Sequence, residues 1–240
     1  MGNETPLKER IQRGDIVIGV GTGMDVTKSQ LEDILSKDDY GFVSTDSQHS
    51  PFSEHKLVEF CYLADEVGIP VHFRIKHTRF AFQVGNLADL GPAIIEVPLV
   101  EDPAVVREAL EWFYFPPEGR RSFVGGPRWG AELGHDRTGY AEWWNNHGML
   151  MIQIETLHAI ENISTLSLPG VDMFSWGPAD LEFDREMHPH HPLKTDDDCI
   201  EHVMAQLAHE KPRMCYRSYD PNLRNKYLDL GVTVLMETAK

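Results

Sequence analysis

The chain has 240 residues, with 38 acidic against 22 basic side chains and a formal charge of −16. So acidic a surface repels nucleic acid, and no apolar run approaches the length of a membrane span. Three widely separated cysteines, Cys61, Cys199 and Cys215, offer neither a disulfide framework nor a structural zinc site, which points to a reducing, cytoplasmic setting.

No apolar stretch follows Met1, so no secretory leader is expected. From there, short apolar runs are predicted as strands at Ile16–Val20, Phe42–Ser44, Val71–Arg74, Ala93–Val97, Leu150–Ile154, Met173–Trp176, Arg213–Tyr216 and Thr233–Met236. They read as flat apolar runs rather than alternating ones, as strands covered on both faces should. Helical signals fall between them. Ser53 is a predicted N-cap before Leu57, Phe60, Cys61 and Ala64, which places Cys61 in the core. Asp102-Pro103 and Asp220-Pro221 each pair a capping acid with proline at the first helical position. Gly231 ends the last helix. Eight strand–helix alternations predict one (β/α)8 barrel over residues 1–240, with an open doubly wound sheet as the structural alternative.

Two irregularities stand out. The connection from Leu99 to Met149 is long, with a Gly/Arg-rich stretch (Gly119 to Gly134) and a helix around Trp143-Trp144. The eighth strand lies at the end of the sequence with no outer helix after it. Its outer side is therefore expected to be covered by another subunit or by the N-terminal segment.

Barrel chemistry sits where strands end and loops begin. Glu155 and Asp180 fall at the ends of the fifth and sixth strands. Neighbouring strands lie roughly 5 Å apart, so two carboxylates there can share a cation of the Mg²⁺ or Mn²⁺ type; an unrelated pair of surface acids is the plainer reading. Arg74 ends an apolar strand and needs an anionic partner, either Glu155 or a substrate oxyanion. His49 lies three positions after Asp46, an arrangement suited to a general base oriented by a carboxylate; a simple loop histidine is the alternative. The turn Gly177-Pro178-Ala179-Asp180 offers the backbone N–H groups of Gly177, Ala179 and Asp180 to a carboxylate, but not that of Pro178. His188 to His191 reads as a surface loop rather than a metal cluster. Arg120, Arg121 and Arg128 with Gly125-Gly126 could cradle phosphate, although no Walker or dinucleotide pattern is present.

Taken in order, Asp46-Ser-Gln-His49-Ser-Pro, Arg74, Phe115-Pro-Pro-Glu-Gly119-Arg-Arg121, Gln153-Ile-Glu155-Thr and Gly170-Val-Asp-Met-Phe-Ser-Trp-Gly177-Pro-Ala-Asp180-Leu resemble the HpcH/HpaI family of class II, metal- and pyruvate-dependent aldolases. The resemblance runs from about Gly14 to about Glu237. It implies a barrel of the pyruvate/phosphoenolpyruvate-binding type. By the same resemblance Glu155 and Asp180 are the ligands of a divalent metal (Mg²⁺, Mn²⁺ or Co²⁺), and Arg74 binds the 2-oxo oxygen. His49 with Asp46 is the acid/base position, and Gln153 with the Gly177, Ala179 and Asp180 backbone contacts a small 2-oxo acid that reacts with an aldehyde. Asp89 falls near the position that reaches into a neighbouring subunit's site, and a homo-oligomer, hexameric or dimer-based, is implied. Departures from the pattern are Gln48 in place of glutamate, Trp176 in place of a smaller residue that would leave the pocket wider, Ser122 after Arg121, and the Glu182 and Glu186–His191 stretch. The expected activity is reversible aldol cleavage through an enolate. Beside it stand a lyase, condensing enzyme or decarboxylase acting on oxaloacetate or an acyl-CoA, and a catalytically silent barrel.

Overall fold

The apolar runs pair side by side in chain order and close into a ring. In the computed structural model, which describes residues 5–123, 129–130, 136–208 and 212–239, the strands are β1 (Val17–Gly21), β2 (Tyr40–Asp46), β3 (Val71–Arg74), β4 (Ile94–Val97), β5 (Met149–Ile154), β6 (Met173–Trp176), β7 (Arg213–Arg217) and β8 (Val234–Thr238). All eight neighbouring pairs are parallel, β8 returning to β1, so the sheet is a closed barrel rather than an open one. Every expected strand is present. The largest extension is in β2, where Thr45 and Asp46 go on pairing with Phe73 and Arg74, so Asp46 is a strand residue.

The helices are α1 (Leu7–Arg13), α2 (Lys28–Leu35), α3 (Glu54–Glu66), α4 (Val84–Ala88, entered from a 3₁₀ turn at Thr78–Gln83), α5 (Pro103–Phe113), α6 (Arg137–His147), α7 (Leu157–Glu161), α8 (Ile163–Leu166), α9 (Pro178–Met187), α10 (Asp196–Leu207) and α11 (Arg224–Asp229, after a 3₁₀ turn at Pro221–Leu223). The capping signals read from sequence are made. Ser53 Oγ accepts from Lys56 N (3.2 Å), Asp102 Oδ1 from Ala104 N (2.7 Å) and Asp220 Oδ1 from Asn222 N (2.9 Å). Such caps each stabilise a helix start by about 1 kcal/mol.

Alternation along the strands divides the core in two. Ile95, Ile152, Phe174 and Leu235 point outward into the layer shared with the helices, together with Cys61. Phe42, Ile94, Met149, Met151, Met173, Cys215 and Met236 point inward and fill the lower barrel. Gly19 makes room for one of them, because a Cβ there would lie 2.2 Å from the Phe42 ring.

Helix α1 closes the barrel's N-terminal end. Ile11 packs into the inner cluster, and the buried Lys8 Nζ reaches Gly148 O (2.8 Å), Asp172 Oδ1 (3.1 Å) and Tyr114 Oη (3.2 Å). The N-terminal segment is thus a floor, and the expectation that it or another subunit covers β8 is corrected. The outer side of β8 is buried within the chain itself. Leu235 is fully buried. Glu237, outward and 1 % exposed, accepts two hydrogen bonds from Arg224 of α11 (both 2.8 Å), whose guanidinium also meets Asp38 (2.7 Å).

Candidate active site

The C-terminal ends of β2, β3, β5 and β6 bring the polar side chains together. Arg74, 8 % exposed, donates from Nε to Asp46 Oδ1 (2.8 Å) and from Nη1 to Gln153 Oε1 (3.2 Å). Its partner within the chain is Asp46, not Glu155. The two contacts fix the plane of the guanidinium and leave Nη2 without a protein acceptor among the described residues.

Asp46 also accepts from the backbone N–H groups of Gln48 (2.9 Å) and His49 (3.1 Å). Burial pushes its pKa up, but the Arg74 guanidinium and these amides outweigh burial and hold it below the usual carboxylate value. The carboxylate therefore grips the loop backbone and Arg74. The pairing of Asp46 with the His49 ring is not formed, and the ring is exposed, with no hydrogen-bond partner among the described residues.

Glu155 follows β5 directly. It is 1 % exposed, and neither carboxylate oxygen has a hydrogen-bond partner among the described residues. Burial, then the nearby Asp180 carboxylate, then Glu96 push its pKa up to about 8, with Arg74 opposing. A buried carboxylate without donors beside a second carboxylate is electrostatically incomplete, and either a proton or a cation can complete it. Gly177 is what lets Glu155 lie there: a Cβ at Gly177 would sit 2.2 Å from Glu155 Oε2 and 2.5 Å from its Cβ.

Asp180 is exposed in the first turn of α9. That helix is tied to the exit of β5 by Asp184 Oδ2, which accepts from Leu157 N (2.7 Å). The Gly177 N–H donates to Ile154 O (3.2 Å) as a last rung of the sheet, so it is spent. Ala179 and Asp180 keep first-turn N–H groups that α9 itself cannot satisfy.

Other expected residues lie apart from this cluster. Asp89, after α4, pairs with Arg121. Arg121 is buried over the Trp144 ring (4.1 Å), and Arg120 is an exposed side chain that pairs with Glu111 (3.2 Å). Gly125, Gly126 and Arg128 lie outside the described residues. Trp176 points outward, fully buried and 5.9 Å from the Tyr216 ring, so it does not narrow the pocket. His191 Nε2 contacts Glu161 (3.0 Å), and His188 Nδ1 lies 2.8 Å from Asp184 O.

Sequence reasoning missed a buried polar layer adjoining the cluster. Glu96, fully buried in β4, accepts from Arg217 of β7 and from Ser175 Oγ of β6. His72 Nε2 of β3 lies 2.9 Å from Glu96 Oε2, and His72 Nδ1 lies 2.9 Å from Ser44 Oγ of β2. The available signal was Glu96 itself, a charge inside the apolar run Ile94-Ile95-Glu96-Val97.

A family model described as HpcH/HpaI aldolase/citrate lyase matches residues 54–205. The chain belongs to that family. A 2-keto-3-deoxy-L-rhamnonate aldolase of Klebsiella pneumoniae is 28 % identical over 73 % of the chain and 65 % of its own length, so the match spans somewhat under two thirds of that enzyme. A 4-hydroxy-2-oxo-heptane-1,7-dioate aldolase of Shigella boydii is 26 % identical over 95 % of the chain and 86 % of its own length. In fold, an HpcH/HpaI aldolase from Desulfitobacterium hafniense superposes with a TM-score of 0.83 at 20 % identity, covering 99 % of this chain and 91 % of that one. A citrate synthase gives a TM-score of 0.78 at 21 % identity, covering 98 % and 91 %.

Proposed function

We propose that the protein is a carbon–carbon lyase that cleaves and forms the C3–C4 bond of 4-hydroxy-2-oxo acids, through the enolate of pyruvate or a close relative. The observation that carries this is Glu155: a buried carboxylate without hydrogen-bond donors among the described residues, beside Asp180 and next to a guanidinium held in a fixed plane. The named activities of the aldolase relatives support it.

Glu155 and Asp180 would hold a divalent cation such as Mg²⁺, Mn²⁺ or Co²⁺, which when bound supplies Lewis-acid stabilisation of negative charge at the 2-oxo oxygen. The chain's own groups do the rest. Arg74 directs Nη2 at the same oxygen, with Asp46 and Gln153 keeping the donor in place before the reaction begins. The amides of Ala179 and Asp180, at the start of α9, hold the substrate carboxylate. Gln153, its Oε1 engaged by Arg74, keeps its Nε2 donors for the 2-oxo acid.

In the cleavage direction His49, directly or through a water, takes the proton of the C4 hydroxyl. The C3–C4 bond breaks, its electron pair moves onto the 2-oxo acid as an enolate, and the aldehyde leaves. Addition is the same path reversed. No lysine is needed for a Schiff base, and none stands among the strand-end residues described.

Exchange of the pyruvate methyl protons in D₂O, followed by NMR, tests the proposal. Exchange that is lost with chelator and in Glu155→Ala is the expected result. No exchange with Mg²⁺, Mn²⁺ or Co²⁺ would overturn it and shift attention to oxaloacetate or an acyl-CoA as the substrate.

A further inference from the structure

A barrel interior is ordinarily packed with branched apolar side chains. Here one layer of it is polar: Ser44, His72, Glu96, Ser175 and Arg217, from five different strands, joined through the Glu96 carboxylate. A buried ion pair is weak evidence for stability, since desolvating two charges offsets most of their attraction. Its position is more telling.

Glu96 is the direct neighbour of Arg74 in the β3–β4 ladder. Its partner Ser175 is the direct neighbour of Gln153 in the β5–β6 ladder. Arg217 lies two residues beyond Cys215, and Gly177 two residues beyond Ser175, the two strands being paired at Ser175 and Cys215. Glu96 therefore lies beside Arg74, and Arg217 level with Gly177, whose Cα faces the Glu155 side chain.

The charges in this layer cancel. Against the cost of burial, Arg217 and His72 keep Glu96 ionised, its pKa held below the usual carboxylate value. Burial lowers the pKa of Arg217, but Glu96 outweighs it and raises it overall. Burial drives His72 down and leaves it neutral. Beside it Asp46 and Arg74 cancel as well, so a divalent cation that displaces the Glu155 proton meets the carboxylates of Glu155 and Asp180 with their neighbours in charge balance.

We infer that Glu96 and Arg217 act on the carboxylate site from within the barrel: Arg217 cancels the Glu96 charge, and this balance sets the affinity of Glu155 and Asp180 for their cation. The inference rests on the reading of those two carboxylates as cation ligands. Neither Glu96 nor Arg217 is a catalytic residue; both act through the field at the site. A unit charge left uncompensated roughly 10 Å from a divalent ion, at an effective dielectric of about 20 to 40, changes its affinity by roughly tenfold to a few hundredfold.

The test is Mn²⁺ affinity, measured by titration calorimetry and by the electron paramagnetic resonance signal of free Mn²⁺. The proteins are the wild type, Glu96→Gln, Arg217→Met, the double variant and Glu155→Ala, each checked by thermal melt. Glu96→Gln leaves an extra positive charge and should bind more weakly; Arg217→Met leaves an extra negative charge and should bind more tightly. The double variant restores neutrality and should return to within about threefold of wild type. A purely structural pair has no reason to follow the sign of the charge. If Glu96→Gln does not fold, the double variant against Arg217→Met still isolates the Glu96 charge, and the double variant should bind more weakly. Glu155-dependent binding that ignores the sign of the charge would overturn this inference alone. Binding indifferent to Glu155→Ala would overturn the carboxylate reading, and the inference with it.

Discussion

Gly177→Ala adds one methyl group at the point where β6 passes into α9. The backbone accepts it: φ is −107°, within ordinary range for any residue. The methyl carbon would sit 2.2 Å from Glu155 Oε2, 2.5 Å from Glu155 Cβ and 3.1 Å from Gln153 Nε2. Ordinary contact begins at 3.4 Å, so the Glu155 carboxylate must move by more than 1 Å. Overpacking of this kind costs roughly 1–3 kcal/mol of stability, and displacing a reacting group by about 1 Å costs on the order of a hundredfold in rate. Pyruvate proton exchange should fall by about that factor, and cation affinity should fall with it, while the protein stays folded in far-ultraviolet circular dichroism. Gly23→Ala is the control, since nothing lies within 4 Å of a Cβ there; it should leave both unchanged. A Gly177→Ala variant that kept wild-type exchange and wild-type Mn²⁺ affinity would refute the placement of Glu155 over Gly177 as the working geometry.

Arg74→Lys keeps the charge but cannot bridge Asp46 and Gln153 in one plane, so kcat/KM should fall by roughly 10²–10³ while the melting temperature changes little. The carboxyl of Asp46 is held low by Arg74 and two amides, so its contribution to stability is complete above the usual carboxylate value and is lost as pH falls through the depressed one. Thermal melts between pH 2 and 6 should therefore show an acid limb that Asp46→Asn makes shallower; an unchanged limb would count against the contact. Trp176 packs outward, so Trp176→Ala should cost roughly 3–5 kcal/mol in urea unfolding and leave the relative kcat/KM for small and large aldehydes unchanged. A widened acceptor range would return Trp176 to the pocket wall.

The eight strands and their helical connections were legible because apolar runs and capping acids are local signals. Period, length and the pairs Asp102-Pro103 and Asp220-Pro221 lie within a few residues of the elements they define. The cluster of Asp46, Arg74, Gln153, Glu155 and Asp180 was legible in part for the same reason: all stand at strand ends or just beyond, and a barrel gathers its strand ends at one mouth. Partners were not legible. Asp46 was expected beside the His49 ring and instead holds Arg74, because one barrel face points both Asp46 and Arg74 inward in adjacent strands. Trp176 was expected in the pocket, but strand alternation turns Ser175 inward and Trp176 out.

The order of elements, the closure they permit and the identity of the acidic and basic residues at the strand ends are thus properties of the linear chain. Tertiary structure decided which charges meet. Glu96 and Arg217 are far apart in sequence, and each alone reads as an anomaly in an apolar strand. Only the curvature of a closed sheet brings β4 and β7 across the same interior, where two buried charges are tolerable because each is the other's partner.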